Sequence, residues 1–232
     1  VLAKNPAFLS IAPERKARSN LKRLLALLLC LLCAGLCKRK VSSVEELYQI
    51  LDRQTILGGL FHPRKTAKNT PSHAVDFEIP VDGAMIGARF HYPKQGGRTV
   101  LFFHGNGETV PDYDAIAPFF RDIGLNLFVV DYRGYGFSTG QPSVANLMGD
   151  AETIHHFLQS NVQRPGLLPL LMGRSLGSGP ATHLASKYPD AYAGLILESG
   201  FADVLPLLRV LRIEVPGHLE SQVRELLSND HK

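Results

Sequence analysis

Ser175 stands in the sequence Gly173-Arg174-Ser175-Leu176-Gly177, directly behind an apolar stretch and directly ahead of one with helical spacing. A serine hydroxyl attacks a carbonyl only when it is lifted clear of its surroundings. A sharp strand-to-helix turn does this, and it needs flanking glycines because side chains there would clash. The helix that follows points its N-terminus at the hydroxyl, which favours developing negative charge. The pattern predicts Ser175 as a nucleophile.

Two more glycine-rich turns fall where such chemistry needs support. His104-Gly105-Asn106-Gly107 closes the apolar run 99–103. The backbone N–H of Asn106, with that of Leu176, is expected to form an oxyanion hole. His104 reads as packing beneath the turn rather than as a base. The segment from Asp131 to Gly140 follows the run 126–131, and its glycines permit a close loop beside the pocket. Asp131, Arg133 and Tyr135 read as stabilising that loop through hydrogen bonds and an ion pair.

A hydroxyl nucleophile also needs a base within about 2.6–3.2 Å, and that base needs an orienting acid. Beyond His183, in the helical stretch behind Ser175, only His218 and His231 follow. Glu198 closes the apolar run 193–197, so Ser175, Glu198 and His218 form a candidate triad. His155 and His156 fall inside a helix expected over 144–160, far from the strand ends.

Apolar runs position these residues. Strands are expected at 75–79 and 84–92, joined through Asp82-Gly83, and at 99–103, 126–131, 167–172 and 193–197. Between them, three sets of residues recur at three- and four-residue spacing and predict helices with one apolar face: Ile116, Phe119, Phe120 and Ile123; Leu147, Ala151, Ile154 and Leu158; Ala181, Leu184, Ala185 and Tyr188. Strand and helix in alternation predict an α/β fold, a mostly parallel central sheet with helices on both faces.

HGNGE, DYRGYGFSTG, GRSLGSGP and LILESGF, in this order, resemble the α/β-hydrolases, in the branch that holds depalmitoylase-like serine hydrolases and many uncharacterised bacterial relatives. The resemblance runs from about residue 75 to about 215. It implies a nucleophile at Ser175, an oxyanion hole from Asn106 and Leu176, and acyl transfer from esters, thioesters or amides to water, with no metal or organic cofactor. It departs from the family after Leu197. The family carries eight strands, with the acid following the strand two after the nucleophile strand and the histidine one strand later still, whereas six strands are expected here. The reading is therefore an α/β-hydrolase fold lacking the last strands, C-terminally incomplete. Residues 201–215, with Phe201, Val204, Leu205, Leu208, Leu211 and Val215, read either as a lid over an acyl pocket or as an amphipathic helix packed on the sheet.

Charge divides the chain of 232 residues. Residues 1–40 hold nine Lys and Arg against one acid, Glu14, and carry +8 of a total of +4, which leaves −4 on residues 41–232. A mildly acidic body argues against nucleic acid as a partner. The uncharged run 24–37 is short for a membrane span and close to the core of a signal peptide. Residues 1–40 are read as a basic and hydrophobic N-terminal segment, a membrane anchor or a signal, with a packed helix as the alternative. Residues 41–232 are read as the hydrolase domain. The chain is expected to be membrane-associated or exported, with the cytoplasm as the alternative. All three cysteines, Cys30, Cys33 and Cys37, lie in that run, so no disulfide framework holds the body. They carry no His or acid at ligand spacing for zinc.

Two functions follow from these readings. The first is a serine hydrolase acting on a small-molecule or lipid-like acyl substrate. The second is a non-catalytic, membrane-associated binding or scaffold protein with a degenerate hydrolase fold. An intact elbow and oxyanion turn favour the first.

Overall fold

Residues 98–103 and 125–130 alternate between two apolar faces, and this alternation builds the layers. The computed structural model describes residues 48–49, 51–52, 54–92, 97–210 and 212–227. After a short helix, α1 (Gln54–Leu60), the strands are β1 (Ala74–Val81), β2 (Ala84–His91), β3 (Arg98–Phe103), β4 (Leu125–Val130), β5 (Leu170–Arg174) and β6 (Gly194–Glu198). They form one sheet in the order β1-β2-β4-β3-β5-β6. β1 and β2 form an antiparallel hairpin in which Val81 pairs with Ala84 across Asp82-Gly83. Gly83 takes a φ of 70°, which glycine adopts at little cost. β2 also runs antiparallel to β4, and β4, β3, β5 and β6 are parallel.

Leu101, Phe103, Phe128 and Val130 face one side of the sheet, where they meet α3 (Val144–Asn161), α4 (Ser178–Lys187) and α5 (Val204–Val210). Val100, Phe102, Leu127 and Val129 face the other, against a 3-10 turn (Val110–Tyr113) and α2 (Ala117–Asp122). The sheet is therefore mostly parallel and covered on both faces, as the alternation predicts. In α3, Leu147, Ala151, Ile154 and Leu158 are all buried. The helix starts where the Ser143 side chain accepts the Asn146 N–H at 3.1 Å, an N-cap that satisfies one of the free donors.

The structure departs from the sequence expectation at three elements. The fifth strand begins at Leu170 rather than 167, directly behind Pro169, which has no N–H to give a ladder. The expected apolar face of α2 is on the wrong stripe. Phe119 and Ile123 are 71% and 72% exposed, while Ala117 and Phe120 turn inward. The helix is only six residues long, so one narrow stripe reaches the sheet. Beyond the expected strands and helices, a further helix, α6 (Glu220–Leu227), follows near the end and is anchored by buried Val223.

β6 lies at the sheet edge, and Leu195, Ile196 and Leu197 are each about 40% exposed. The described residues belong to one compact unit that begins at Leu47. The basic and hydrophobic segment 1–40, its cysteines, Leu211 and His231 lie outside the described residues. Among the described residues, no helix is long and apolar enough to cross a membrane.

Candidate active site

β5 delivers Ser175 into a turn that only glycines permit. Ser175 has a φ of 48°, a left-handed conformation that a residue bearing a side chain adopts only under constraint. The constraint is visible on both sides. A Cβ on Gly173 would sit 2.3 Å from the Gly177 carbonyl oxygen, and one on Gly177 would sit 2.1 Å from that of Phe103. The turn thus closes on itself and presses against the end of β3. The Ser178 hydroxyl donates to the Ser175 carbonyl at 2.6 Å, holding the turn to the first residue of α4. Ser175 itself is exposed. Among the described residues its hydroxyl has no hydrogen-bond partner.

The turn after β3 is fixed through its side chains. Asn106 Oδ1 accepts from the Tyr135 hydroxyl at 2.6 Å and from the His62 N–H at 2.9 Å, and its Nδ2 donates to the Leu60 carbonyl at 2.9 Å. These bonds occupy Oδ1 and one Nδ2–H of Asn106 and fix the turn beside the pocket. Glu108 closes the same turn by accepting from the Gly105 N–H at 2.7 Å and from the Tyr113 hydroxyl at 2.5 Å. Burial pushes the Tyr113 phenol well above its ordinary range, so it stays a donor. His104 is fully buried beneath the turn, with Nε2 at 3.2 Å from Asp131 Oδ1 and Nδ1 at 2.8 Å from the Gly105 carbonyl. It packs rather than acts, as expected.

The loop after β4 is also held as its residues predict. Asp131 accepts the Val110 N–H at 3.0 Å, and Arg133 grips Asp150 with two bonds of 2.7 and 2.8 Å. Tyr135 is fully buried and reaches across to Asn106.

Ser175, Asn106 and Leu176 line one pocket of about 180 Å³. Its walls are Leu60 and Phe61, Val144, Leu147 and Met148 of α3, and Phe201, Val204 and Leu207. The segment 201–215 contributes both to the pocket wall and to the core. Val204 and Leu207 line the pocket, while Leu205 and Leu208, with Val204, pack into the core.

Neither Glu198 nor His218 lines the pocket that holds Ser175. Glu198 pairs with Arg174, its Oε1 3.4 Å from Nε. His218 lies on the 3-10 turn Gly217–Leu219 and does not line the pocket. Two groups that sequence reasoning missed are present instead. His62 lines the pocket, although it sits in a segment with no periodicity to mark it. Arg174, the variable residue of the elbow motif, pairs with Glu108 at 2.8 Å. Hydrogen bonding to Tyr113 and the Glu108 charge hold it firmly cationic. The signal for this pair was available, because opposite charges follow the ends of β3 and β5, which run side by side with Phe103 opposite Gly173. Among the described residues, no group of three or more His, Cys, Asp or Glu is placed to hold a metal ion.

The profile of the serine aminopeptidase S33 family matches residues 95–226, more than half of the chain. The chain belongs to this family of α/β-hydrolases. Its relatives among curated proteins include the α/β-hydrolase domain-containing protein 17C of Xenopus tropicalis, 37% identical over 142 residues that make up 58% of this chain and 41% of that protein. Another is a Saccharomyces cerevisiae protein named only as an uncharacterized membrane protein, 38% identical over 175 residues, 73% of this chain and 62% of that one. This S33-family chain thus spans roughly two fifths to three fifths of the length of these relatives. An α/β-hydrolase from Vibrio vulnificus shares the fold at a TM-score of 0.55 and 22% identity, covering 69% of this chain and 59% of that one.

Proposed function

We propose that the protein is a serine hydrolase that cleaves carboxylic ester, thioester or amide bonds through an acyl-enzyme on Ser175. The observation that carries this reading is the elbow. An exposed serine is held at a φ of 48° between two glycines that nothing larger can replace, at the mouth of an apolar pocket. Strain of this kind persists only where the surrounding structure imposes it, and it gathers at functional sites.

On this reading Ser175 Oγ attacks the carbonyl carbon and gives its proton to an imidazole. The carbonyl oxygen becomes an oxyanion and takes hydrogen bonds from the Asn106 and Leu176 N–H groups. Collapse returns the proton to the leaving group and leaves the acyl chain on Ser175. Water repeats the sequence and frees the acid. Two such donors contribute about a hundredfold or more each to the rate. Of the histidines among the described residues, His62 is the one that lines the pocket, and it is the first histidine to substitute. The membrane-associated setting expected for residues 24–37 is part of the same proposal, and the yeast relative's name agrees with it.

The binding-protein reading also has an observation behind it. Among the described residues, no imidazole or carboxylate bonds to the Ser175 hydroxyl. Turnover decides between the two. Hydrolysis of a p-nitrophenyl ester by the purified chain, abolished in Ser175→Ala, is expected. A hydrolysis rate unchanged by Ser175→Ala would leave the binding reading standing.

A further inference from the structure

The pocket beside Ser175 is divided by chemistry. Its polar groups are Ser175, Asn106 and His62, and the rest of its wall is aliphatic or aromatic. Among the described residues, no carboxylate, ammonium or guanidinium group lines it. A charged acyl portion entering it would lose its hydration with no partner in return. An α-ammonium group, which an aminoacyl substrate carries beside its carbonyl, has no acidic partner in this wall.

Volume sets the second limit. An apolar cavity of 150 Å³ lined by aliphatic and aromatic side chains takes up benzene, so one of about 180 Å³ accommodates roughly six to eight carbons. We propose that the pocket selects uncharged acyl chains of about six to eight carbons, and that Met148 sets that length. The proposal rests on the reading of Ser175 as the acylated residue.

Met148 is 3% exposed and lies across the start of α4, where a Cβ on Gly179 would meet its Cε at 3.3 Å. Its thioether therefore forms pocket wall close to the elbow, and Gly179 leaves the space in which it lies. A flexible, unbranched side chain fills such a gap and yields when the gap changes. Met148→Ala removes three heavy atoms and lengthens the pocket. Gly179 itself lines the pocket, so Gly179→Ala keeps a helix-compatible backbone, adds a methyl to that wall and crowds the Met148 tip. Each methylene that is still buried strengthens binding by up to about fourfold, and a methylene beyond the wall adds nothing or clashes.

The test is the chain-length profile of p-nitrophenyl esters from acetyl to hexadecanoyl with the 232-residue chain, with Ser175→Ala as control. kcat/KM is expected to climb to hexanoyl or octanoyl and to fall by about tenfold or more at dodecanoyl. Met148→Ala is expected to move the optimum two or three carbons longer, and Gly179→Ala to lower octanoyl relative to butanoyl. An optimum at acetyl or hexadecanoyl, or one that neither variant moves, overturns the proposal. Binding separates its failure from failure of the Ser175 reading. Calorimetric titration of folded Ser175→Ala with butanol, octanol and dodecanol needs no chemistry. Tightest binding of octanol supports the length limit even if no ester is cleaved, and equal affinities for all three overturn it.

Discussion

Arg174 Nη1 lies 2.8 Å from Glu108 Oε1, and this pair ties the elbow that carries Ser175 to the turn that carries Asn106. Glu108 also holds the Gly105 N–H, and Arg174 also reaches Glu198. The two halves of the proposed site are thus braced by a charge bridge across the ends of β3, β5 and β6.

Removing that brace is expected to loosen the turn without unfolding the protein. The Arg174 side chain is 40% exposed, and pairs of this kind contribute about 0.2–1 kcal/mol. Arg174→Met should therefore leave the urea midpoint nearly unchanged, speed amide exchange at Gly105 and slow acylation of Ser175 by about tenfold through misplacement of donors. Arg174→Lys should recover part of the loss. A destabilisation larger than about 2 kcal/mol, or unchanged acylation, would show that the bridge has another role.

Gly177 makes a sharper prediction. Its neighbour is a backbone carbonyl of β3, which has no rotamer by which to move aside. Gly177→Ala should cost roughly 1–3 kcal/mol in urea denaturation, in the range of overpacked cores, and should abolish acylation of the remaining folded protein. Gly149→Ala, where a Cβ meets nothing within 4 Å, is the matching control and should cost nothing. Equal stabilities for the two variants would contradict the account of the elbow.

Acid should weaken the fold through two histidines. Burial, then the neighbouring Arg89 charge, lowers His91 to about 4. Burial, then His156, lowers His155 to about 4. Both folded values lie below the unfolded one of about 6.5. Stability is therefore complete above about pH 6.5 and is lost as pH falls toward 4, by up to about 1.4 kcal/mol per pH unit for each group. Asp52 and Asp114 are raised mainly by burial, and their protonation in the folded state offsets part of this loss at the acid end. His155 also meets the Tyr192 hydroxyl at 2.5 Å, so the clean variant is the double substitution His155→Phe/Tyr192→Phe. Its urea midpoint should fall less steeply between about pH 6.5 and 4.5, and a slope equal to the parent's would contradict this assignment.

Much of this was legible in the sequence because it depends on local rules. The unbroken apolar runs Val100–Phe103 and Leu127–Val130 specify strands buried on both faces, and Gly-x-Ser-x-Gly between a strand and a helix specifies the elbow. Asn106 could be placed because it follows a strand end. What escaped depends on tertiary contact. His62 enters the pocket from a segment 44 residues before Asn106, held by a backbone hydrogen bond that no local pattern announces. Phe119 and Ile123 have the spacing of a buried face, yet α2 is too short to bury them. Glu198 was nominated for its place at a strand end. There it is bound by Arg174, a partner that only the pairing of Arg174 with Glu198 across β5 and β6 reveals.

The most direct test of the central claim is covalent labelling of the 232-residue chain with a fluorophosphonate, with Ser175→Ala alongside and both proteins shown to unfold cooperatively. The account predicts one label per chain, on Ser175, and none on the variant. A folded chain that takes no label, or that labels equally well without the Ser175 hydroxyl, would contradict it.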